Sequence, residues 1–130
     1  MIYCTAHDKL DDLAELYKEW TDKDYDSRHT LWNSFFVVAR DTDTKKIVGA
    51  TQYIVIDDPF WNRRYALVEN VFVKLEYRKQ GVGKLLMDFT EKQVHSLGCV
   101  FLKLTTRKDE GRALYRSLGY EEGSSFYKRW

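Results

Sequence analysis

The sequence predicts an α/β (α+β) fold: a single domain over residues 1–130, with a mixed, mostly antiparallel central sheet and helices on both faces. Three observations lead there. Two β-rich runs, 35-FFVVAR-40 and 47-IVGATQYIVI-56, flank 41-DTDTKK-46, whose Asp and Thr residues suit a turn, so they read as a hairpin. A third β-rich run, 65-YALVENVFV-73, leads through a glycine loop into a helical pattern and then a further apolar run, 99-CVFLKLTT-106. Strand, helix, strand in that order implies a right-handed parallel crossover inside an otherwise antiparallel sheet.

The elements follow in order. Residues 2–6 are β-prone, and 8-DKLDDLAELYKEW-20 sets Leu10, Leu13, Leu16 or Tyr17, and Trp20 at helical spacing, with Asp8 as the N-cap. The segment 21–35 begins polar and then carries Leu31, Trp32 and Phe35, reading as a loop into a short helix. After the hairpin, 57-DDPFWNRR-64 holds the only proline and connects to the strand at 65–73. A helix over about 82–97 presents Leu86, Phe89 and Val94 or Leu97 on one face, and Gly98 ends it. The run 99–106 is apolar enough for a central strand covered on both faces. A last helix at about 109–118 stops at Gly119, and 124-SSFYKRW-130 reads as a closing edge strand.

At 130 residues, 44% apolar and 32% charged, the chain has the composition of an ordinary soluble globular domain. Its 21 basic and 20 acidic side chains nearly balance, at a net charge of +1, which argues against nucleic-acid binding. Cys4 and Cys99 stand far apart, without a CxxC or clustered His, so the pattern calls for reduced thiols and no metal. No basic-then-apolar leader opens the sequence, and no apolar run approaches the ~18 residues of a membrane span. A cytoplasmic protein is expected.

The chemistry concentrates in 76-EYRKQGVGKLL-86. A glycine-rich turn feeding a helix exposes backbone N–H groups at the positive end of the helix dipole, which is an anion site. A Walker loop is excluded twice, because Leu85 stands where the magnesium-binding hydroxyl belongs and Arg78 where the first glycine belongs. A dinucleotide fingerprint fails as well, with Leu86 in place of its third glycine.

The run 69-ENVFVKLEYRKQGVGKLLMDF-89, followed by 112-RALYRSLGY-120, resembles the GNAT superfamily of acetyl-CoA-dependent N-acetyltransferases. Their loop Q/R-x-x-G-x-G/A is matched by Arg78, Lys79, Gln80, Gly81, Val82 and Gly83. The resemblance implies that the anion is the pyrophosphate of coenzyme A, held by the amides of Gln80, Gly81, Val82, Gly83 and Lys84, with Arg78 and Lys79 adding charge. It implies too that main-chain groups of Val71, Phe72 and Val73 pair with the pantetheine arm as an added strand would. An amide near Val71 or Phe72 then polarises the thioester carbonyl.

An amine of pKa about 10.4 is neutral in only about one molecule in 2,500 at pH 7, and only the neutral form attacks a carbonyl. The resemblance assigns the proton-accepting role to Glu69, directly or through water, with partial burial raising its basicity. It assigns the proton donor for the departing thiolate to Tyr115, a phenol of suitable pKa, while Tyr120 reads as a core aromatic. The sequence departs from the family's Asn-x-x-Ala-x-x-aromatic-Tyr pattern, with Gly111 at the Ala position and Lys108 at the Asn position, where an ammonium could meet a ligand phosphate. Gly111 costs the helix about 1 kcal/mol relative to Ala.

His7, His29 and His95 are scattered over separate elements, and only His29 falls in the acceptor-side region. The expected partner is a small-molecule or peptide amine. Asp22, Asp24, Asp26, Asp57 and Asp58 suit a cationic one, and equally suit plain solvation. The family also leaves room for a homodimer. Direct attack in a ternary complex is favoured over a covalent carrier, because Cys99 opens a buried strand. The alternatives are a non-catalytic acyl-CoA-binding module and transfer of a longer acyl group.

Overall fold

The computed structural model describes residues 1–8, 10–23, 34–106, 109–123 and 128. Five strands form one sheet in the order β1(Ile2–His7), β2(Ser34–Asp41), β3(Ile47–Asp58), β4(Arg63–Val73) and β5(Leu102–Leu104). All neighbours are antiparallel except β4 and β5, which are parallel and joined by the helix α2(Val82–Ser96). The helix α1(Ala14–Thr21) and the helix α3(Asp109–Ser117) complete the described elements.

Alternation along the strands divides the core into two layers. Val37, Ala39, Val48, Tyr53, Ala66 and Val68 pack with Val82, Leu86, Met87 and Val94 of α2. Val38 and Phe72 face the other way and pack with Leu13 and Leu16. At Gly49 a side chain has no room between β4 and α2, since a Cβ there would lie 2.9 Å from the Phe72 carbonyl oxygen and 3.1 Å from Leu86 Cδ1. Helix placement therefore depends on that glycine.

Several boundaries differ from those the sequence suggests. Asp8 does not cap the first helix: a 3-10 turn at Leu10–Leu13 comes first, and α1 starts after Leu13 with no side-chain cap. Burial of Leu13 and Leu16 sets this start, at roughly 1.5–3 kcal/mol for each fully buried side chain. Phe35, which the sequence offers both to a short helix and to the β-rich run 35–40, lies in β2 and stacks on Tyr53 at 5.3 Å. The connection at 57–64 shrinks to residues 59–62, because the cross-strand pairs Asp57–Arg64 and Asp58–Arg63 prolong the ladder.

The largest difference is β5. Only Leu102–Leu104 are strand, at the end of the described sheet and not at its centre, and Val100 is 66% exposed. The expected short helix carrying Leu31 and Trp32, together with Asp24, Asp26 and His29, lies outside the described residues. So does nearly all of the strand expected at 124–130.

Candidate active site

The pairing of β4 with β5 runs from Ala66–Leu102 to Val68–Leu104 and stops there. At the same point the register between β3 and β4 slips: Gln52 pairs with Asn70, but Tyr53 pairs with Val68. Glu69 is the extra residue of a β-bulge, a device that bends a strand and re-aims a side chain. Beyond it, β4 continues beside β3 alone. The sheet therefore opens between β4 and β5, with Glu69 at the fork.

The ladder shows which main-chain groups face the opening. The Lys74 N–H donates to the Val48 carbonyl at 2.8 Å. In an antiparallel ladder the alternate residues Phe72 and Asn70 then also turn their groups toward β3, opposite Ala50 and Gln52, while Val71 and Val73 turn theirs away from it. Phe72, expected to line a ligand with its backbone, instead gives its side chain to the α1 layer. Of the two amides expected to polarise a carbonyl, Val71 is the one on the open edge.

Val73 leads through Lys74 and a short 3-10 turn, Leu75–Tyr77, into the glycine loop. Four side-chain bonds hold this passage. Lys74, buried to 7% exposure, donates to Glu15 Oε1 at 2.9 Å, and the ammonium holds the Glu15 carboxyl below its usual pKa. Tyr77 donates to Asp41 Oδ2 at 2.8 Å, Arg78 Nε to the Val73 carbonyl at 2.9 Å, and Gln80 Nε2 to the Glu76 carbonyl at 3.0 Å. The Arg78 guanidinium also lies over the Phe72 ring. Arg78 is thus bent back onto β4, while Lys79 and Lys84 stay exposed.

Gly81 is the N-cap of α2 with φ 83°, a left-handed conformation, and no side chain caps the helix. The first backbone bond of the helix is from Leu85 N–H to Gly81 O at 3.1 Å, so the amides just before it have no acceptor within the helix. Space around Gly81 is open: an added Cβ would meet nothing within 4 Å. Gly83 differs, since its Cβ would sit 3.3 Å from Leu114 Cδ2 of α3. One glycine shapes the turn and the other admits a helix. Unpartnered amides at a helix N-terminus beside an open strand edge fit a coenzyme A pyrophosphate and its pantetheine arm.

Tyr115 reaches the core layer of α2 from α3, half-buried and edge-on to Tyr120, with ring centroids 5.9 Å apart. The Tyr120 hydroxyl is bonded to Glu91. The Tyr115 hydroxyl has no hydrogen-bond partner among the described residues, and burial raises its pKa. Gly111 answers to a neighbour: a Cβ there would lie 2.5 Å from Thr106 Oγ1, too close even for alanine. Lys108 lies outside the described residues.

Glu69 is exposed and not partly buried as expected. Cys99 is buried, but in the turn after α2 and not inside a strand. Burial raises the pKa of both Cys99 and Cys4, which keeps them as poorly nucleophilic thiols. Among the described residues no group of three or more His, Cys, Asp or Glu could hold a metal ion, and no helix is long and apolar enough to cross a membrane. A cavity of about 290 Å³ lined by Asp12, Glu15, Arg40, Lys45 and Lys46 meets this site only at Glu15, the partner of Lys74.

The sequence reading missed Lys74 with Glu15, Tyr77 with Asp41, and the side-chain bond from Asn70 Nδ2 to Gln52 Oε1 at 2.6 Å. The Glu-Asn dipeptide before Val71 was the available signal for the last.

The model of the acetyltransferase (GNAT) family matches residues 7–120. Human N-acetyltransferase 8 is 32% identical over 91 residues, 66% of this chain but only 39% of that protein. The chain thus spans about two-fifths of that relative's length. Among solved structures, an aminoglycoside acetyltransferase from an uncultured soil metagenomic sample has a TM-score of 0.80 at 21% identity, covering 99% of this chain and 96% of that one. A ribosomal-protein-alanine N-acetyltransferase from Brucella melitensis biovar Abortus 2308 has a TM-score of 0.80 at 18% identity, covering both chains in full at 100% each. At such identities these two show likeness of fold.

Proposed function

Because the chain belongs to the acetyltransferase (GNAT) family, we propose that it is an N-acetyltransferase that moves the acetyl group of acetyl-CoA directly onto a primary amine. The observation that carries this reading is the coincidence at one point of β4 of the bulge at Glu69 and the end of pairing with β5. It leaves a strand edge, open at Val71 and the Val73 N–H, that runs on through the glycine loop into the first amides of α2.

Acetyl-CoA supplies an activated acyl carbon on a thioester, whose thiolate must be protonated as it leaves. The amides from Gln80 to Lys84 bind its pyrophosphate, with Gly81 keeping the turn open, and Lys79 and Lys84 add positive charge. Lys108 belongs to the same anion-binding set by its place before α3. The edge groups of Val71 and the Val73 N–H orient the pantetheine arm, the Val73 carbonyl being held by Arg78, and the Val71 N–H polarises the thioester carbonyl. Glu69 takes the proton of the attacking amine, and its exposure suits a water relay as well as direct contact. Tyr115 returns a proton to sulfur: its hydroxyl is uncommitted and its raised pKa keeps it protonated at neutral pH. Buried Cys99 and half-buried Cys4, both with raised pKa, support direct transfer, since neither is suited to carry the acetyl group.

The acceptor class is a small-molecule or peptide amine. The test is a panel of primary amines assayed for acetyl-CoA-dependent thiol release. Release with at least one amine supports the enzyme. Binding of acetyl-CoA with no release from any amine would favour a non-catalytic acyl-CoA-binding module.

A further inference from the structure

Gln52 and Asn70 form one rung of the β3–β4 ladder, and their side chains share the face of Ala50 and Phe72, two positions away, which pack toward α1. The next rung outward on this face is Ile54 with Leu67. An amide pair therefore interrupts an apolar stripe, and both residues are half-buried. Burial of amides is costly unless they are hydrogen-bonded.

The bond from Asn70 Nδ2 to Gln52 Oε1, at 2.6 Å, meets only part of that need. Gln52 Nε2 keeps two N–H donors and Asn70 Oδ1 its acceptor sites, and neither has a partner among the described residues. The pair thus presents a donor and an acceptor side by side. Asn70 follows Glu69 directly, with Cα atoms about 3.8 Å apart across a trans peptide. The pair therefore stands at the same fork of the sheet as Glu69, where β4 parts from β5 and an acceptor meeting Glu69 would lie.

We propose that Gln52 and Asn70 select the acceptor, favouring a primary amine flanked by a neutral group that both donates and accepts a hydrogen bond, such as an amide or a hydroxyl, over a plain alkylamine. This rests on the acetyltransferase reading above. A peptide and an amino sugar share the required chemistry. A matching substrate satisfies both groups, whereas a bare alkyl chain leaves them desolvated and unpaired, an asymmetry on which polar discrimination depends.

The experiment compares kcat/KM by thiol release for three acceptors: a dipeptide amide with a free α-amine, an amino sugar and a linear alkylamine. Each is measured with the unaltered protein and with Gln52→Met plus Asn70→Leu, which replaces both partners without leaving one orphaned. The ratio of a polar acceptor to the alkylamine should fall by about 10-fold or more in the double variant, and taking the ratio between proteins cancels the intrinsic reactivity of each amine. The polar acceptor showing the larger fall identifies the source. Retention of the acetyl-CoA-induced rise in Tm confirms that the variant folds, and if it does not fold, Gln52→Met alone is measured in the same way. Turnover with an unchanged ratio overturns this inference and leaves the acetyltransferase reading standing. Absence of thiol release with every amine overturns both.

Discussion

Tyr115 and Tyr120 lie five residues apart and touch edge to face, yet only one is free to donate a proton outward. Glu91 holds the hydroxyl of Tyr120, and burial together with that carboxylate drives its pKa far up. Tyr115→Phe removes one hydroxyl and keeps the ring, so stability and acetyl-CoA binding should change little while turnover falls by about 10²-fold or more. A donor with a more acidic thiol should recover part of the loss, and full activity in the folded variant would sink the assignment. Glu69→Gln should cost most near pH 7 and progressively less toward pH 10, as the amine deprotonates without help. Burial moves the Tyr115 pKa upward, away from that range, and the same profile measured on Tyr115→Phe separates the phenol from the recovery at Glu69. A loss independent of pH would exclude the base. The family resemblance is what makes Glu69, Tyr115 and the glycine loop legible as candidates in the sequence. The partners of Lys74 and Asn70, 59 and 18 residues away, are not, because only the folded sheet brings them together.

Among elements, the crossover from β4 through α2 to β5 was legible because glycine loop, helical spacing and apolar runs agree. The length of β5 was not: its sequence reads as strand over 99–106, and past Leu104 the bulge on its neighbour removes the partner it needs. A bulge has no local signal here, since 65-YALVENVFV-73 is β-prone throughout. The two loop glycines also look alike in sequence and differ in place. Gly83→Ala should be tolerated, since its methyl meets only the movable end of Leu114 at 3.3 Å, and the acetyl-CoA-induced rise in Tm should persist. Gly83→Asp places a carboxylate in the first turn of α2, against the expected pyrophosphate, and should abolish that rise. If the aspartate variant folds and still shows the full rise, the phosphate site lies elsewhere.

At the scale of the molecule, the loop is fixed to the rest of the domain from both sides. Lys74 ties it to α1 through Glu15, and Tyr77 ties it to the β2–β3 turn through Asp41. A preset loop binds more tightly than one that must first be ordered, because apparent affinity scales with the fraction of competent molecules. Acetyl-CoA at 100 times its Kd should stabilise the fold by about 2.7 kcal/mol, a rise in Tm of roughly 10 °C for a domain of this size. Tyr77→Phe leaves the ring in place but releases Asp41. If the competent population falls to about one third, the rise at the same concentration should shrink by roughly 2 °C, and KM for acetyl-CoA should increase about threefold with little change in KM for the amine. The effect should depend on pH with a definite sign. Asp41 is held below the usual aspartate pKa, first by the Asp43 N–H and then by the Tyr77 hydroxyl. Its contribution is therefore present above about pH 4 and lost as pH falls through the lower folded value. The gap in Tm between the unaltered protein and Tyr77→Phe should close over that acidic window. An equal rise in KM for both substrates, or a gap that widens on acidification, would show that Tyr77 serves general stability and not the cofactor loop.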